Sequence, residues 1–218
     1  MLAFDTCMGA MLEVGYQLAP FVHYLVGNQS CSLPDGFAYQ GIMAALNQVD
    51  NDPEQVAIGM VRAFDAYYSA HDASGIYTHT ALDLTQIDTV CAELDDFAAL
   101  AIRLPNCRVL LDQVRDEAPR FCLFPMYTDV VEFCSILDEL IGSGSGSDGA
   151  IAVHEAALSV QDAVHAMVVD RCGGSQTTGL AHGCAIYCPF KHIDSSYYKT
   201  VFARDCRWVS LLQEICDC

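Results

Sequence analysis

The first nineteen residues change from a strand-like to a helix-like pattern of apolar positions. Leu2–Phe4 is a short apolar run, and from Met8 onward apolar side chains recur at the spacing that places them on one face of a helix. Those side chains are Met8, Met11, Leu12, Tyr16 and Ala19. Residues 5–7 are therefore predicted to form a turn between a strand and a helix, with Cys7 at the junction.

Further along the chain, apolar runs and helical patterns alternate as in an α/β protein. Residues 21–27 are apolar except for His23, which is typical of a strand in a parallel sheet that is covered on both faces. Asp52 and Pro53 are typical of the cap and the first position of a helix. The other predicted helices cover residues 41–49, 85–102, 105–118, 128–141, 151–169 and 208–215, and extended segments are predicted at 77–84 and 181–189.

The composition indicates a sizeable core and an acidic surface. Of the 218 residues 53% are hydrophobic, and 28 acidic residues against 10 basic ones give a formal net charge of −18. Such a charge repels nucleic acid and anionic membranes and attracts cationic ligands, so a basic peptide is the expected class of partner. The sequence has neither the ~20-residue apolar run that spans a bilayer nor the basic start of a signal peptide.

Twelve cysteines are scattered along the chain without a Cys-x-x-Cys pair. Cys91 and Cys134 fall on apolar helix faces, so mostly free thiols are expected rather than a disulfide framework. His182, Cys184 and Cys188 come nearest to the spacing of metal ligands. A zinc site needs a fourth ligand, so packing in the core is favoured. A cysteine-rich metal protein remains an alternative that metal analysis would test.

The position of Cys7 suits nucleophilic chemistry. At the start of a helix, unpaired backbone N–H groups and the positive end of the helix dipole favour the thiolate, which is the nucleophilic form of cysteine. The same pattern also fits a cysteine that packs in the core as a small apolar side chain. For a lone cysteine in such a turn, this second interpretation is favoured.

Several separated motifs shift that balance, because they resemble the clostripain family of cysteine peptidases in content and order. The first motif is Asp5-Thr-Cys7-Met8 with Glu13 and Tyr16, followed by the strand 21–27, Asn28-Gln-Ser30 and the turn Leu33-Pro-Asp-Gly-Phe-Ala-Tyr39. The later motifs are Tyr127-Thr-Asp-Val-Val-Glu-Phe133, Cys184-Ala-Ile-Tyr-Cys-Pro189, and Tyr197–Phe202 with Trp208. The resemblance extends from residue 2 to about residue 213.

The resemblance implies an α/β fold of the caspase type. We expect part of a three-layer sandwich, with an incomplete, mostly parallel sheet between flanking helices and a helical carboxyl-terminal region. Residues 142–149 have the Gly/Ser composition of a flexible linker. Because family motifs lie on both sides of it, residues 1–218 are expected to form one carboxyl-terminal part of a peptidase, with this linker inside it.

The resemblance also implies roles for individual residues. Cys7 is the expected nucleophile, Asp5 lines the pocket for the substrate residue before the cleaved bond, and Asp35 is a second acid there. Such a carboxylate pair would select Arg or Lys. Ser32 and Leu33 are weaker assignments, as loop residues that flank the bound peptide. From the residues alone, Asp5 is explained as a cap of the following helix and Asp35 as a turn residue.

The catalytic base that the family uses is not found in this sequence. In the family it is the histidine of a His-Gly motif before the nucleophile strand, whereas none of the seven histidines here precedes Cys7. The firmly predicted strands, 2–4, 21–27 and 181–188, are also fewer than the about five or six strands of an ordinary sheet. We therefore expect the histidine on an amino-terminal, light-chain-like segment outside this chain, which would be a partner of it.

Two functions remain open at this stage. The first is the nucleophile-bearing portion of an endopeptidase that cleaves after Arg or Lys, and that is inactive without the His-Gly segment. The second is a non-catalytic remnant of the fold that binds basic peptides through an acidic cleft. No cofactor is evident; calcium is implied by the resemblance alone. Family members are often secreted, and the compartment of this chain is left open.

Overall fold

The computed structural model describes residues 1–47, 52–72, 74–120, 126–142 and 147–216. Its strands are β1 (Leu2–Ala3), β2 (Tyr24–Gly27), β3 (Thr78–Asp83), β4 (Tyr127–Asp129), β5 (Val168–Gly173) and β6 (Ala185–Tyr187). Its helices are α1 (Leu12–Leu18), α2 (Tyr39–Leu46), α3 (Pro53–His71), α4 (Ile87–Ala101), α5 (Cys107–Glu117), α6 (Val130–Gly142), α7 (Asp148–Met167), α8 (Val201–Asp205) and α9 (Trp208–Ile215). Short 3-10 turns at Leu84–Gln86 and Tyr197–Lys199 precede α4 and α8.

The described strands form one four-stranded sheet and one short ladder. The sheet has the order β1-β2-β3-β5, in which β1 and β2 are parallel and the other two pairings are antiparallel. β4 and β6 form an antiparallel ladder, which a parallel bridge between Met11 and Ala185 connects to the start of α1. The α/β class is confirmed, but the sheet is mixed rather than mostly parallel, because β3 and β5 each run opposite to their neighbours.

Alternating side chains of β2 and β3 build two cores, one on each face of the sheet. Leu25 and Leu82 pack with α4, α6 and α7 on one face, whereas Val26 and Ala81 pack with α2 and α3 on the other. All four side chains are fully buried. The result is a layer of helices on each side of the sheet.

Several element boundaries differ from the predicted ones. The strand predicted at 21–27 begins only at Tyr24, since the N–H groups of Phe21 and Val22 both donate to the carbonyl of Leu18 and form a turn. β5 occupies residues where the end of a helix and a loop are predicted. It forms because β3 offers it a ladder from Thr78 to Leu82, which is a long-range pairing without a local signal.

Eight described cysteines are free thiols, in line with the expectation: Cys7, Cys91, Cys107, Cys134, Cys172, Cys184, Cys188 and Cys206. Cys31 is disulfide-bonded. Cys91 and Cys134 are buried, as their helix positions predict. Cys122 with its apolar run 121–124, residues 143–146 of the predicted linker, and Cys218 lie outside the described residues. Among the described helices, none combines the length and apolar character needed to cross a bilayer.

Candidate active site

Cys7 lies on the surface, in the turn that connects β1 to α1. Its side chain is exposed, and its Sγ accepts a hydrogen bond of 3.3 Å from the backbone N–H of Ser32. Burial in the core, the alternative interpretation of this cysteine, is therefore excluded. The donor faces the atom that carries the negative charge of a thiolate.

The helix after Cys7 begins later than predicted, which changes the physical account of this turn. α1 starts at Leu12, five residues beyond Cys7, and has only seven residues. The positive end of a helix dipole acts mainly within the first turn of the helix, so it does not explain the environment of the sulfur. Instead, the backbone N–H of Ser32, in the loop after β2, is the positive group next to the sulfur.

The nucleophile turn is held tightly against the segment that follows β2. The N–H of Met8 donates to Ser30 O at 2.9 Å, and the N–H of Ala10 donates to Asn28 O at 3.0 Å. Met8 has a φ of 57°, a left-handed conformation that costs a non-glycine residue about 1–3 kcal/mol. Such strain persists where the surrounding structure fixes the backbone, and here it aims the residue before it, Cys7, toward solvent.

Asp5 lies beside the sulfur and is bound by three donors. Tyr39 Oη donates to Asp5 Oδ2 at 2.7 Å, Phe37 N donates to the same oxygen at 3.1 Å, and Ser32 Oγ donates to Oδ1 at 3.5 Å. The hydrogen bond to Asp5 raises the pKa of Tyr39. The N-cap of α1 is Met11, which makes no side-chain capping bond, so Asp5 does not cap that helix. Its half-buried carboxylate instead faces the loop 32–39.

Asp35 lies on the other side of a tight turn from Asp5. Gly36 N donates to Leu33 O at 2.9 Å, and Gly36 has a φ of 66°, so this turn suits glycine. A Cβ at Gly36 would lie 2.6 Å from Asp5 Oδ2. The exposed carboxylate of Asp35 accepts a hydrogen bond of 3.0 Å from Tyr67 Oη. The turn thus brings the two acids to adjacent positions without direct contact between them.

Tyr68 is close enough to both carboxylates for their charges to raise its pKa. Its hydroxyl donates to Gly36 O at 2.6 Å. Burial, followed by the charges of Asp35 and Asp5 among others, raises its pKa to about 12. The hydroxyl therefore stays protonated, and its hydrogen bond to Gly36 O stabilises the turn between the two acids.

A cavity of about 800 Å³ opens between α2 and α3, beside the two acids. Its lining includes Asp35, Phe37, Tyr39 and Tyr67, but neither Cys7 nor Asp5. The cavity therefore flanks the thiol rather than containing it. Cys7, Asp5 and Ser32 form one contacting group, and Asp35 connects that group to the cavity. Leu33, the remaining predicted site residue, is half-buried and packs against the core on the α3 face.

Behind the site lies a buried polar network that the sequence does not reveal. Asp129 accepts hydrogen bonds from Gln29 Nε2, from the N–H of His182 and from the N–H of Glu132. Burial raises the pKa of Asp129, and these donors act in the opposite direction. Gln29 Oε1 also accepts from Gly183 N at 2.9 Å. This network anchors Gln29, and its long-range bonds join residues 53 to 154 positions apart that carry no local signal of their meeting.

No histidine ring hydrogen-bonds to Cys7 in the described part of the chain. His182 Nε2 lies 2.8 Å from Glu132 Oε1, and His79 and His154 are paired with Asn28 and Asp138. His182, Cys184 and Cys188 do not converge on one point: across the described residues, no three His, Cys, Asp or Glu side chains are placed to hold a metal ion. For the calcium that the resemblance implies, the described residues therefore offer no cluster of three acidic side chains.

Comparison with known proteins gives a family and a set of structural neighbours. A family model described as "Clostripain family" matches residues 1–214. A clostripain from Bacteroides thetaiotaomicron in complex with the peptide inhibitor BTN-VLTK-AOMK aligns with a TM-score of 0.66 at 17% identity, and the alignment covers 94% of this chain and 85% of that one. A search of curated proteins finds no match.

Two further neighbours are longer than this chain. An inactive zymogen protease from Parabacteroides distasonis aligns with a TM-score of 0.66 at 16% identity, over 94% of this chain and 57% of its own. A secreted cysteine protease from Bacteroides thetaiotaomicron, "iotapain", aligns with a TM-score of 0.68 at 16% identity, over 93% of this chain and 54% of its own. This chain therefore spans little more than half the length of these two proteins.

Proposed function

The chain belongs to the clostripain family of cysteine peptidases, and we propose that it is the nucleophile-bearing portion of an endopeptidase that cleaves after Arg or Lys. The observation that carries the proposal is the contact group of Cys7, Asp5 and Ser32. It combines an exposed thiol with an N–H donor at the sulfur and a carboxylate in the same turn. Residues 1–218 would act as one unit, with the linker 142–149 inside it.

The proposed reaction is acyl transfer to sulfur. Cys7 Sγ attacks the carbonyl carbon of the substrate, and a base takes up the thiol proton. As the carbon–nitrogen bond breaks, that proton passes to the leaving amine, and water then hydrolyses the thioester and regenerates the thiol. The base would be a histidine on a segment outside this chain. Two observations support this: no described histidine ring hydrogen-bonds to Cys7 Sγ, and β1 pairs on one side only in the described sheet.

The preference for Arg or Lys rests on the charge next to the thiol. Asp5 would receive the substrate cation directly, and Asp35 would add negative charge from the adjacent turn, with Ser32 and Leu33 flanking the peptide. The neighbouring clostripain is described with an inhibitor whose peptide, VLTK, ends in lysine. A net charge of −18 would further draw basic peptides toward the site. Arg would gain most, since it can bind a carboxylate through two hydrogen bonds.

The test is reconstitution. This chain is produced with its upstream segment carrying a His-Gly loop, and hydrolysis of matched Arg, Lys and Gln amide substrates is measured. We expect hydrolysis of the Arg and Lys substrates, its loss in Cys7→Ala, and a fall of about 10- to 100-fold in kcat/KM for Arg in Asp5→Asn. Activity that survives Cys7→Ala, or equal cleavage of the Gln substrate, would contradict the proposal.

One observation favours a second candidate function, a non-catalytic module that binds basic peptides. The described chain presents the acidic residues and the adjacent cavity without a base at the thiol. Under this candidate, a fluorescent Arg-containing peptide binds the chain, the binding weakens in Asp5→Asn, and no hydrolysis appears when the upstream segment is supplied. Hydrolysis in the reconstituted protein decides for the peptidase.

A further inference from the structure

His79 is a buried histidine that the proposed reaction does not use. It lies on β3 next to the end of β2, and its side chain is fully buried. The ring stacks on Phe64 with a centroid distance of 4.2 Å and meets the edge of Phe37 at 5.1 Å. Burying a polar ring among aromatic side chains costs free energy unless the ring is hydrogen-bonded.

The hydrogen bonds of His79 lead directly to the nucleophile turn. Its Nδ1 lies 2.8 Å from Asn28 Oδ1, and Asn28 Nδ2 donates to the carbonyl oxygen of Thr6 at 3.4 Å. Thr6 stands between Asp5 and Cys7 in the chain. The side chain of Asn28 therefore connects His79 on β3 to the backbone between Asp5 and Cys7.

The direction of these bonds fixes the tautomer of the histidine. Because the Asn28 amide nitrogen donates to Thr6, its oxygen must be the acceptor for His79, and the proton of the ring must be on Nδ1. The Nε2 atom is buried and has no hydrogen-bond partner, which suits an unprotonated nitrogen better than an N–H group. Burial also lowers the pKa of His79 to about 3, against the opposing charge of Asp5.

A neutral ring matters because of Asp5. The charge of that carboxylate acts on the ring from the turn above it, and Phe37 joins the two, with its ring on His79 and its N–H on Asp5 Oδ2. A protonated imidazole at this place would compete with a substrate cation for the same carboxylate. A neutral ring leaves the charge of Asp5 available.

We propose that His79 is a positioning residue of the nucleophile turn, which it holds through Asn28 and the carbonyl of Thr6, with its ring proton on Nδ1. The consequence is that the Ser32 N–H stays aligned on Cys7 Sγ and that Asp5 stays beside the thiol. The inference rests on the proposed role of Cys7 as the nucleophile. It does not require that the chain alone hydrolyse peptides.

The experiment measures the reactivity of Cys7 in this chain as it stands. Alkylation by iodoacetamide at fixed pH is followed at the Cys7 peptide by mass spectrometry, which separates it from the other, mostly buried, thiols. His79→Leu removes the donor, and we expect the rate at Cys7 to fall about fivefold, the effect of one lost hydrogen bond. His79→Asn keeps an N–H group at the position of Nδ1 and should restore the rate to within about twofold of the original.

Matched variants separate this role from general destabilisation. Phe64→Leu removes the stacked ring but leaves the hydrogen bonds, so it should lower the unfolding temperature without slowing alkylation. Asn28→Ala removes the side chain that joins His79 to the carbonyl of Thr6. The double variant with His79→Leu should be alkylated at Cys7 no more slowly than either single variant. If His79→Leu does not fold, Asn28→Ala carries the test. A folded His79→Leu or Asn28→Ala that reacts at the original rate overturns the proposal, as does a His79→Asn as slow as His79→Leu.

The same variants in the reconstituted protein keep the two proposals apart. If Arg substrates are hydrolysed, His79→Leu should lower kcat more than it raises KM. The sulfur loses its alignment with the Ser32 N–H, whereas Asp5 keeps its donors from Phe37 and Tyr39. If nothing is hydrolysed but the alkylation pattern holds, the proposed function fails and the role of His79 stands. Hydrolysis with unchanged alkylation and an unchanged kcat in His79→Leu removes the role of His79 alone.

Discussion

Glu13 makes the stability of this protein depend on pH in an unusual direction. Its carboxylate, on α1, is buried, and Oε1 accepts hydrogen bonds from Tyr187 N at 2.9 Å and Tyr197 Oη at 3.0 Å. The other oxygen, Oε2, is buried without a partner. Burial outweighs the two hydrogen bonds and raises the pKa of Glu13 from 4.5 to about 7. The folded protein therefore holds this proton more tightly than the unfolded chain does.

The sign and the size of the effect follow from that difference. Between pH 4.5 and 7 the folded state carries the proton and the unfolded state does not, so the free energy of unfolding decreases as the pH rises. The contribution is fully present below pH 4.5 and is lost as the pH passes 7. A difference of about 2.5 in pKa corresponds to about 3 kcal/mol at about 1.4 kcal/mol per pH unit, most of it lost between pH 5 and 8.

Glu13→Gln tests this reasoning, because an amide keeps the accepting oxygen and removes the titration. Urea unfolding at pH 5 and pH 8 should show that the original protein loses about 2 to 3 kcal/mol more than the variant over this range. Glu155→Gln is the matched control: it removes the same charge from an exposed position on α7 and should follow the original protein. If Glu13→Gln and Glu155→Gln lose the same stability from pH 5 to pH 8, burial of Glu13 is not the cause.

Three further predictions concern the turn at the site, the carboxyl-terminal helix and the surface charge. Gly36→Ala places a Cβ 2.6 Å from Asp5 Oδ2 at a φ of 66°. The free energy of unfolding in urea should fall by about 1 kcal/mol or more, and an Arg peptide should bind more weakly. Unchanged binding would refute the contact. Trp208→Ala removes a ring that packs on Phe133 and donates to Tyr187 O at 2.8 Å. Calorimetry should therefore show that the free energy of unfolding falls by about 3–5 kcal/mol, and by less in Trp208→Phe. A fall below about 1 kcal/mol would contradict this packing. Raising the salt concentration from 50 to 500 mM should weaken binding of an Arg peptide but not of a Gln peptide, and equal weakening of both would argue against charge recognition.

The location of the thiol could be predicted from local pattern, since the change from strand to helix spacing brackets residues 5–7. The environment of the thiol could not. The prediction placed Cys7 at a helix start, but Met8 has a left-handed backbone conformation and α1 begins only at Leu12. Apolar spacing alone does not distinguish the two cases, because Met8 and Met11 are buried either way. The donor at the sulfur comes from Ser32, 25 residues away, which no local pattern indicates.

β5 and the link through His79 show the same limit. Residues 168–172 follow α7 without a glycine or proline to end the helical pattern, and they become a strand only because β3 lies alongside. His79 sits in a run of alternating Thr and apolar residues that predicts an extended segment and gives no sign of a partner 51 residues earlier. Predictions from sequence therefore succeed where a feature depends on neighbours in the chain and fail where it depends on contacts across the sheet.

Three acidic side chains illustrate how burial separates roles that the sequence presents as alike. Asp5, Glu13 and Asp129 all lie next to apolar runs at the family motifs. Asp129 is fully buried with three donors, and Glu13 is buried with two donors on one oxygen and none on the other. Asp5 alone of the three is part-exposed, and its donors come from the loop that also contacts Cys7 and from the first residue of α2. A substrate cation can reach only a carboxylate with access to solvent. Glu13 and Asp129 therefore serve the packing of α1, β4 and β6. Among these three acids, only Asp5 is accessible for the proposed role of binding a basic side chain beside the thiol.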